Sequence, residues 1–70
     1  MQRIPVDSSS IYSIGYSDDR QELEVEFQDE SLYIYFNVSH HTYDTLINAK
    51  SIGSTFHSLI RKGNFTYKQL

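Results

Sequence analysis

The chain has no cysteine, no tryptophan, one proline and only three glycines in 70 residues. Without cysteine there is neither a disulfide framework nor a thiolate metal site. Three isolated glycines build no phosphate-cradling loop and no nucleophile elbow. No apolar run approaches the roughly 18–20 residues that span a bilayer. The opening "MQRIPVDSSS" lacks an apolar h-region and a small-residue cleavage pattern. These absences lead to the expectation of a cytoplasmic, reducing location and no membrane partner. The sequons at Asn37-Val38-Ser39 and Asn64-Phe65-Thr66 carry no weight without a secretory signal.

Aromatic side chains are plentiful, with six Tyr and four Phe. Seventy residues make one domain with one core, and such a core rarely supplies more than about 3–5 kcal/mol of net stability. Rings that bury about 150–250 Å² each offset that shortage; self-association as a homo-oligomer is the other route. Net charge is −3, unevenly spread. Residues 1–44 carry all nine acidic side chains against Arg3 and Arg20, whereas residues 45–70 carry Lys50, Arg61, Lys62 and Lys68 and no acid. An anion is therefore drawn to the C-terminal part and repelled by the middle.

"SIYSIGYS" (10–17) is β-branched and aromatic and reads as a first strand, with Gly15 suggesting a bulge or a close backbone approach. "ELEVEF" (22–27) alternates, Leu23, Val25 and Phe27 on one face and Glu22, Glu24 and Glu26 on the other, as a half-buried antiparallel strand does. "LYIYFNV" (32–38) is a third strand, apolar on both faces. Its Leu32, Ile34, Phe36 and Val38 can form core unaided, which leaves the Tyr33/Tyr35 face to be explained. Ser39 is placed to cap a helix over about 40–49, with Val38 and Tyr43 as a hydrophobic staple. Ile52, Phe56, Leu59 and Ile60 mark a second helix, capped by Ser51, with Arg61 and Lys62 in its last turn and Gly63 as its stop. Phe65 and Tyr67 keep strand spacing, so the tail can add an edge strand. The expected fold class is α+β: a small antiparallel sheet of three to four strands with two short helices packed on it.

Each chemical candidate has a competing structural role. Tyr33 and Tyr35 can stack on bases, since aromatics at alternate strand positions are a recurrent RNA-binding device; packing under the helices with hydroxyls at the rim is the favoured role. Ser51, Lys50 and the free N–H groups of the second helix can hold a small anion, although Ala49-x-Ser51-x-Gly53 more simply makes a tight capped corner. Arg61, Lys62 and Lys68, interleaved with Phe65 and Tyr67, form the one basic-aromatic cluster suited to a nucleic-acid backbone; dipole-matched cations at a helix end are its plain reading. His40 and His41 point about 100° apart on a helix, too far round to chelate one ion, so no metal and no cofactor is expected. His57 alone is more often structural than catalytic. No catalytic constellation stands out, and the expectation is not an enzyme.

The stretches "IPVDSSSIYSIGY", "LEVEF", "LYIYFNV" and "NAKSIGSTFHSLIRKGNFTYKQL" together resemble the KTSC domain. That family occurs at the C-terminus of some lysyl-tRNA synthetases and alone as small bacterial or phage proteins. The resemblance covers essentially the whole chain. Its most specific pieces are Tyr33-x-Tyr35, Ala49-x-Ser51-x-Gly53 and Phe56-x-x-x-Ile60-Arg61. The chain departs from the pattern in three places: Ser39 replaces a proline, Asp29-Glu30 replaces a glycine-containing hairpin turn, and His57 replaces an asparagine. The synthetase association implies a binding module for RNA, tRNA included; the residues of this sequence that are candidates for contacting nucleic acid or another partner are Tyr33, Tyr35, Lys50, Ser51, His57, Arg61, Lys62, Tyr67 and Lys68. Two alternatives stand beside it: a protein-interaction or inhibitor module acting on a host protein, and capture of a small anionic ligand at the Ser51 helix start.

Overall fold

The computed structural model describes residues 2–70. Five strands follow one another as neighbours in a single antiparallel sheet: β1 (Arg3–Pro5), β2 (Ile11–Ser17), β3 (Glu22–Phe27), β4 (Leu32–Tyr35) and β5 (Tyr67–Gln69). Between β4 and β5 the chain forms α1 (His40–Ile47) and α2 (Ile52–Phe56), and α2 runs on into a π turn (His57–Arg61). The α+β class stands, with five strands where the sequence suggested three or four. The additional one, β1, is a three-residue exposed edge strand; at that length it carries no alternation to detect.

Registry decides which side of each strand is core. Leu23 lies opposite Tyr35 and Val25 opposite Tyr33, while Ile14 faces Val25 and Tyr16 faces Leu23. Ile14, Leu23, Val25 and Tyr35 therefore share the face that the helices cover, and all four are buried. This is the orientation of β4 in which Tyr33 and Tyr35 pack under the helices, the role favoured for them, and not the one in which Leu32 and Ile34 form the core. Its Tyr side is the core side, whereas Leu32 and Ile34 lie over Glu26 and Glu24 on the outer face and stay partly exposed. The strand also ends at Tyr35 rather than at Val38, because Asn37 adopts a left-handed backbone with φ 59°. The break lets Val38 turn inward to full burial.

On the outer face Gly15 sits in register between Arg3 and Glu24. It is not a bulge; the irregularity falls between Ile11 and Ser13, where Tyr12 is turned out to solvent. With no side chain at Gly15 in between, the Arg3 guanidinium reaches across to pair with Glu24, and it lies 3.7 Å from Glu26. Ser13 donates to the same Glu26 carboxylate at 2.9 Å.

Both helices begin where the sequence places caps. Thr42 N donates to Ser39 Oγ at 3.2 Å and Ser54 N to Ser51 Oγ at 3.4 Å; α1 is shorter than expected, with Asn48 closing it by bonding back to Asp44 O. Tyr16 ties β2 to α1: its ring stacks on Tyr43 at 4.5 Å between centroids, and its hydroxyl donates to Val38 O at 2.6 Å. Burial first, then the Asp18 carboxylate, raise the Tyr16 phenol above its ordinary pKa, and burial raises Tyr35 although Arg61 opposes it. A phenol raised in the folded state adds stability that is whole below the unfolded value, near pH 10, and is lost as the pH climbs through the folded value. Tyr16→Phe is expected to cost about 1–2 kcal/mol at neutral pH by orphaning the Val38 carbonyl. It is also expected to flatten the alkaline limb of the stability curve. Denaturant melts at neutral and alkaline pH check both effects; an unchanged alkaline slope would remove Tyr16 as its source.

Candidate functional site

A cleft of about 570 Å³ opens where the β3–β4 hairpin, the β4–β5 pair and the end of the π turn converge. Phe27, Tyr33, Tyr35, Phe65 and Tyr67 give it aromatic walls, and Asp29, Ser31, Arg61 and Asn64 its polar groups. The rings are graded in depth. Tyr35 is 6% exposed and packs edge-on against Phe56, with centroids 5.6 Å apart. Tyr33 is half-buried, 6.3 Å from Tyr35 at a small interplanar angle. Tyr67, 60% exposed, leans over both at 5.9 and 5.5 Å. Tyr35 therefore belongs to the core, Tyr33 to the rim and Tyr67 to the open surface.

Arg61 enters this cleft because of the π turn. An α-helix advances about 100° per residue, which would leave residue 61 about 140° around the axis from Phe56. Here Lys62 N instead donates to His57 O at 3.2 Å, a five-residue step that brings Arg61 closer to the Phe56 side of the axis than α-helical spacing would. Its charge is then close enough to Tyr35 to act on the phenol. π turns recur at functional positions in helices, and this one sets the cleft's cation.

Asp29 is fixed by an Asx turn. Its Oδ1 accepts from Ser31 N at 3.0 Å and from Ser31 Oγ at 2.6 Å. Those two bonds hold its carboxyl below the usual range. Glu30 beside it sits at φ 72°, the left-handed region that glycine tolerates best, which explains why a glycine-containing turn is the pattern there.

The nine sequence candidates do not form one surface. Tyr33, Tyr35, Arg61 and Tyr67 meet in the cleft, whereas Lys50, Ser51 and His57 line a separate open groove of about 650 Å³ with Ser8, Ser10 and Gly53. Lys62 is exposed and lines neither. Lys68 pairs beside Ile34 on the outer face, because neighbours on a strand point to opposite sides; the side chains of Tyr67 and Lys68 therefore do not share a surface. The same alternation puts the Glu22/Glu24/Glu26 stripe on the face away from the tyrosines. At the second groove the hydroxyls of Ser8 and Ser10 lie 3.3 and 3.2 Å from where a Gly53 Cβ would stand, so Gly53 admits the close passage of that loop. His40 Nδ1 is 3.7 Å from Asp18 Oδ1, and no group of three possible ligands among the described residues gathers around a metal position.

Sequence reasoning did not find Asp29, Ser31 or Asn64. The Asp-x-Ser spacing is a turn signal that says nothing of what the turn faces. Asn64 follows Gly63 with φ 59°, again a local signal without a spatial one.

Comparison with known proteins places the chain. The family profile of the KTSC domain matches residues 7–65. A KTSC domain protein of Yersinia pestis, known from its crystal structure, is 38% identical and superposes with a TM-score of 0.92, covering 99% of this chain and 96% of that one. An uncharacterized protein of Stutzerimonas stutzeri is 36% identical over 67 residues, 96% of this chain and 94% of the relative. A lysine–tRNA ligase of Nostoc sp. is 41% identical over 64 residues, which is 91% of this chain but 11% of the ligase. No helix among the described residues is long and apolar enough to cross a membrane. With the family profile matched over most of its length and a KTSC domain protein superposing over nearly all of it, the chain belongs to the KTSC domain family.

Proposed function

We propose that the chain is a non-catalytic module that binds single-stranded RNA by stacking an unpaired base in the aromatic cleft. One observation carries this reading: Tyr67, an aromatic side chain more than half exposed, stands with Tyr33 and Arg61 around one opening. Bases stacked on such rings gain about 1–3 kcal/mol each, and the guanidinium, with exposed Lys62 next to it in sequence, attracts the phosphates. The acidic stripe, turned to the opposite face of the sheet, leaves that approach open. The occurrence of a similar segment within ligases named for tRNA supports an RNA partner.

Binding rather than catalysis is favoured by the cleft's own protonation chemistry. Tyr35 is shifted up and Asp29 down from their ordinary values, both away from neutrality, whereas a general acid or base is tuned toward the working pH.

The test is an amide NMR titration of labelled protein with short single-stranded RNA and with tRNA at low and near-physiological salt. Shifts are expected around Tyr33, Arg61 and Tyr67 and should weaken as salt rises. Tyr67→Ala should lower affinity about tenfold, consistent with the loss of one stacking contact, and leave the thermal midpoint little changed because its ring is mostly exposed. No shifts at low salt, where electrostatic attraction is strongest, would sink the RNA reading in favour of a protein partner.

A further inference from the structure

The cleft presents different hydrogen-bonding groups from different elements, and together they are complementary to one base. Asp29, on the β3–β4 hairpin, offers only acceptors. A carboxylate has about four lone-pair sites; Ser31 fills two of them, both on Oδ1. No hydrogen bond among the described residues reaches Oδ2, so the hairpin displays an oriented, half-satisfied carboxylate. Arg61, from the π turn, offers only donors, five in a fixed fork. Tyr33 and Tyr67 line the same cleft and offer ring surfaces.

Guanine is the base whose edges fit both groups. Its Watson–Crick edge carries two adjacent donors, N1–H and the N2 amino group, which suit a carboxylate; its other edge carries two acceptors, O6 and N7, which suit a guanidinium. Adenine presents one donor group beside an acceptor at either edge, and uracil and cytosine lack the paired donors. We infer that the cleft is selective for guanine, with Asp29 reading the Watson–Crick edge and Arg61 the O6/N7 edge of a base stacked against Tyr67. This deepens the RNA-binding reading and rests on it.

An exposed aspartate is ionised through the neutral range in any case, and the Ser31 bonds hold it lower still, so its acceptor character does not vary there. Asn favours the same Asx turn. Asp29→Asn therefore preserves the hairpin while replacing one acceptor by a donor, which isolates recognition from folding.

The experiment titrates labelled protein with RNA pentamers of uridine whose central residue is guanosine, inosine, adenosine or uridine. The guanosine pentamer is expected to bind about ten- to a hundredfold more tightly than the uridine one, with inosine between them because it lacks the N2 amino group. The largest shifts are expected at Ser31 and Tyr67. Asp29→Asn should shrink the guanine preference to the part that Arg61 supplies at O6 and N7, and should erase the difference between guanosine and inosine. Cleft shifts of equal affinity for all four centres, or a guanosine–inosine difference that survives Asp29→Asn, would overturn the selectivity and leave the RNA reading standing. Guanosine monophosphate binding as tightly as its pentamer would keep the guanine assignment and overturn RNA as the ligand. No cleft shift with any of the pentamers would overturn both.

Discussion

Phe56→Ala is expected to unfold most of the protein at 25 °C. Phe56 is 3% exposed and meets Phe27 and Tyr35 edge-on, with centroids 5.6 Å away in both cases. It is the ring through which α2 holds the sheet. Truncating a buried Phe to Ala costs about 3–5 kcal/mol, the lost transfer term plus a cavity. A single core in a domain this small has about that much net stability to lose. With no disulfide to limit the unfolded chain, nothing offsets the loss. Circular dichroism and a denaturant melt would show a largely unfolded baseline or a midpoint close to zero denaturant. Phe56→Leu, which keeps much of the volume, should remain folded with a lowered midpoint. A fully cooperative Phe56→Ala protein with an ordinary midpoint would mean that the helices are held by something other than this aromatic cluster.

Gly63→Ala is the second large effect, and it acts on fold and site together. A Cβ at position 63 would stand 2.3 Å from the Leu59 carbonyl oxygen and 2.8 Å from the Phe65 ring. The first neighbour is backbone, so it cannot rotate aside as a side chain would. Residue 63 leaves the π turn through a bond from its N–H to Ile60 O at 3.3 Å, which holds the chain close against that carbonyl. Relieving the clash means opening the turn or displacing Phe65, and forced shifts of this kind cost about 1–3 kcal/mol. Since Phe65 walls the cleft, the expected outcome is a lower denaturant midpoint with an unchanged m-value, together with amide shifts at Phe65 and Tyr67. Lys62→Ala, one residue earlier and exposed, should stay within about 0.5 kcal/mol of the unaltered protein. Equal stability of the two variants would show that the turn relaxes freely.

Much of this architecture was legible in local pattern. The alternation of Leu23, Val25 and Phe27 with three glutamates named a half-buried strand. Ser39 and Ser51 named two helix starts, and both cap as their residue type requires. Part of the cleft was legible too, since Tyr33, Tyr35, Arg61 and Tyr67 stood out as aromatics and a cation. Their companions did not. Asp29 and Ser31 form a turn bonded to itself, and only the sheet brings that turn to the cleft. Lys68 was grouped with Tyr67 on sequence proximity, which strand geometry undoes.

The sequence by itself determined three of the strands, both helix starts with their caps, and the scarcity of staples that makes the aromatics carry the core. The face of β4 that lies under the helices was decided only in the tertiary structure. A period-two pattern that is apolar on both sides permits either orientation, and the choice came from pairing with β3, whose glutamates cannot be buried unpaired. The position of Arg61 was decided there as well. Helical periodicity gives a direction only for an α-helix, and one five-residue turn rotated that side chain from the direction α-helical spacing gives into the cleft that Tyr35 lines.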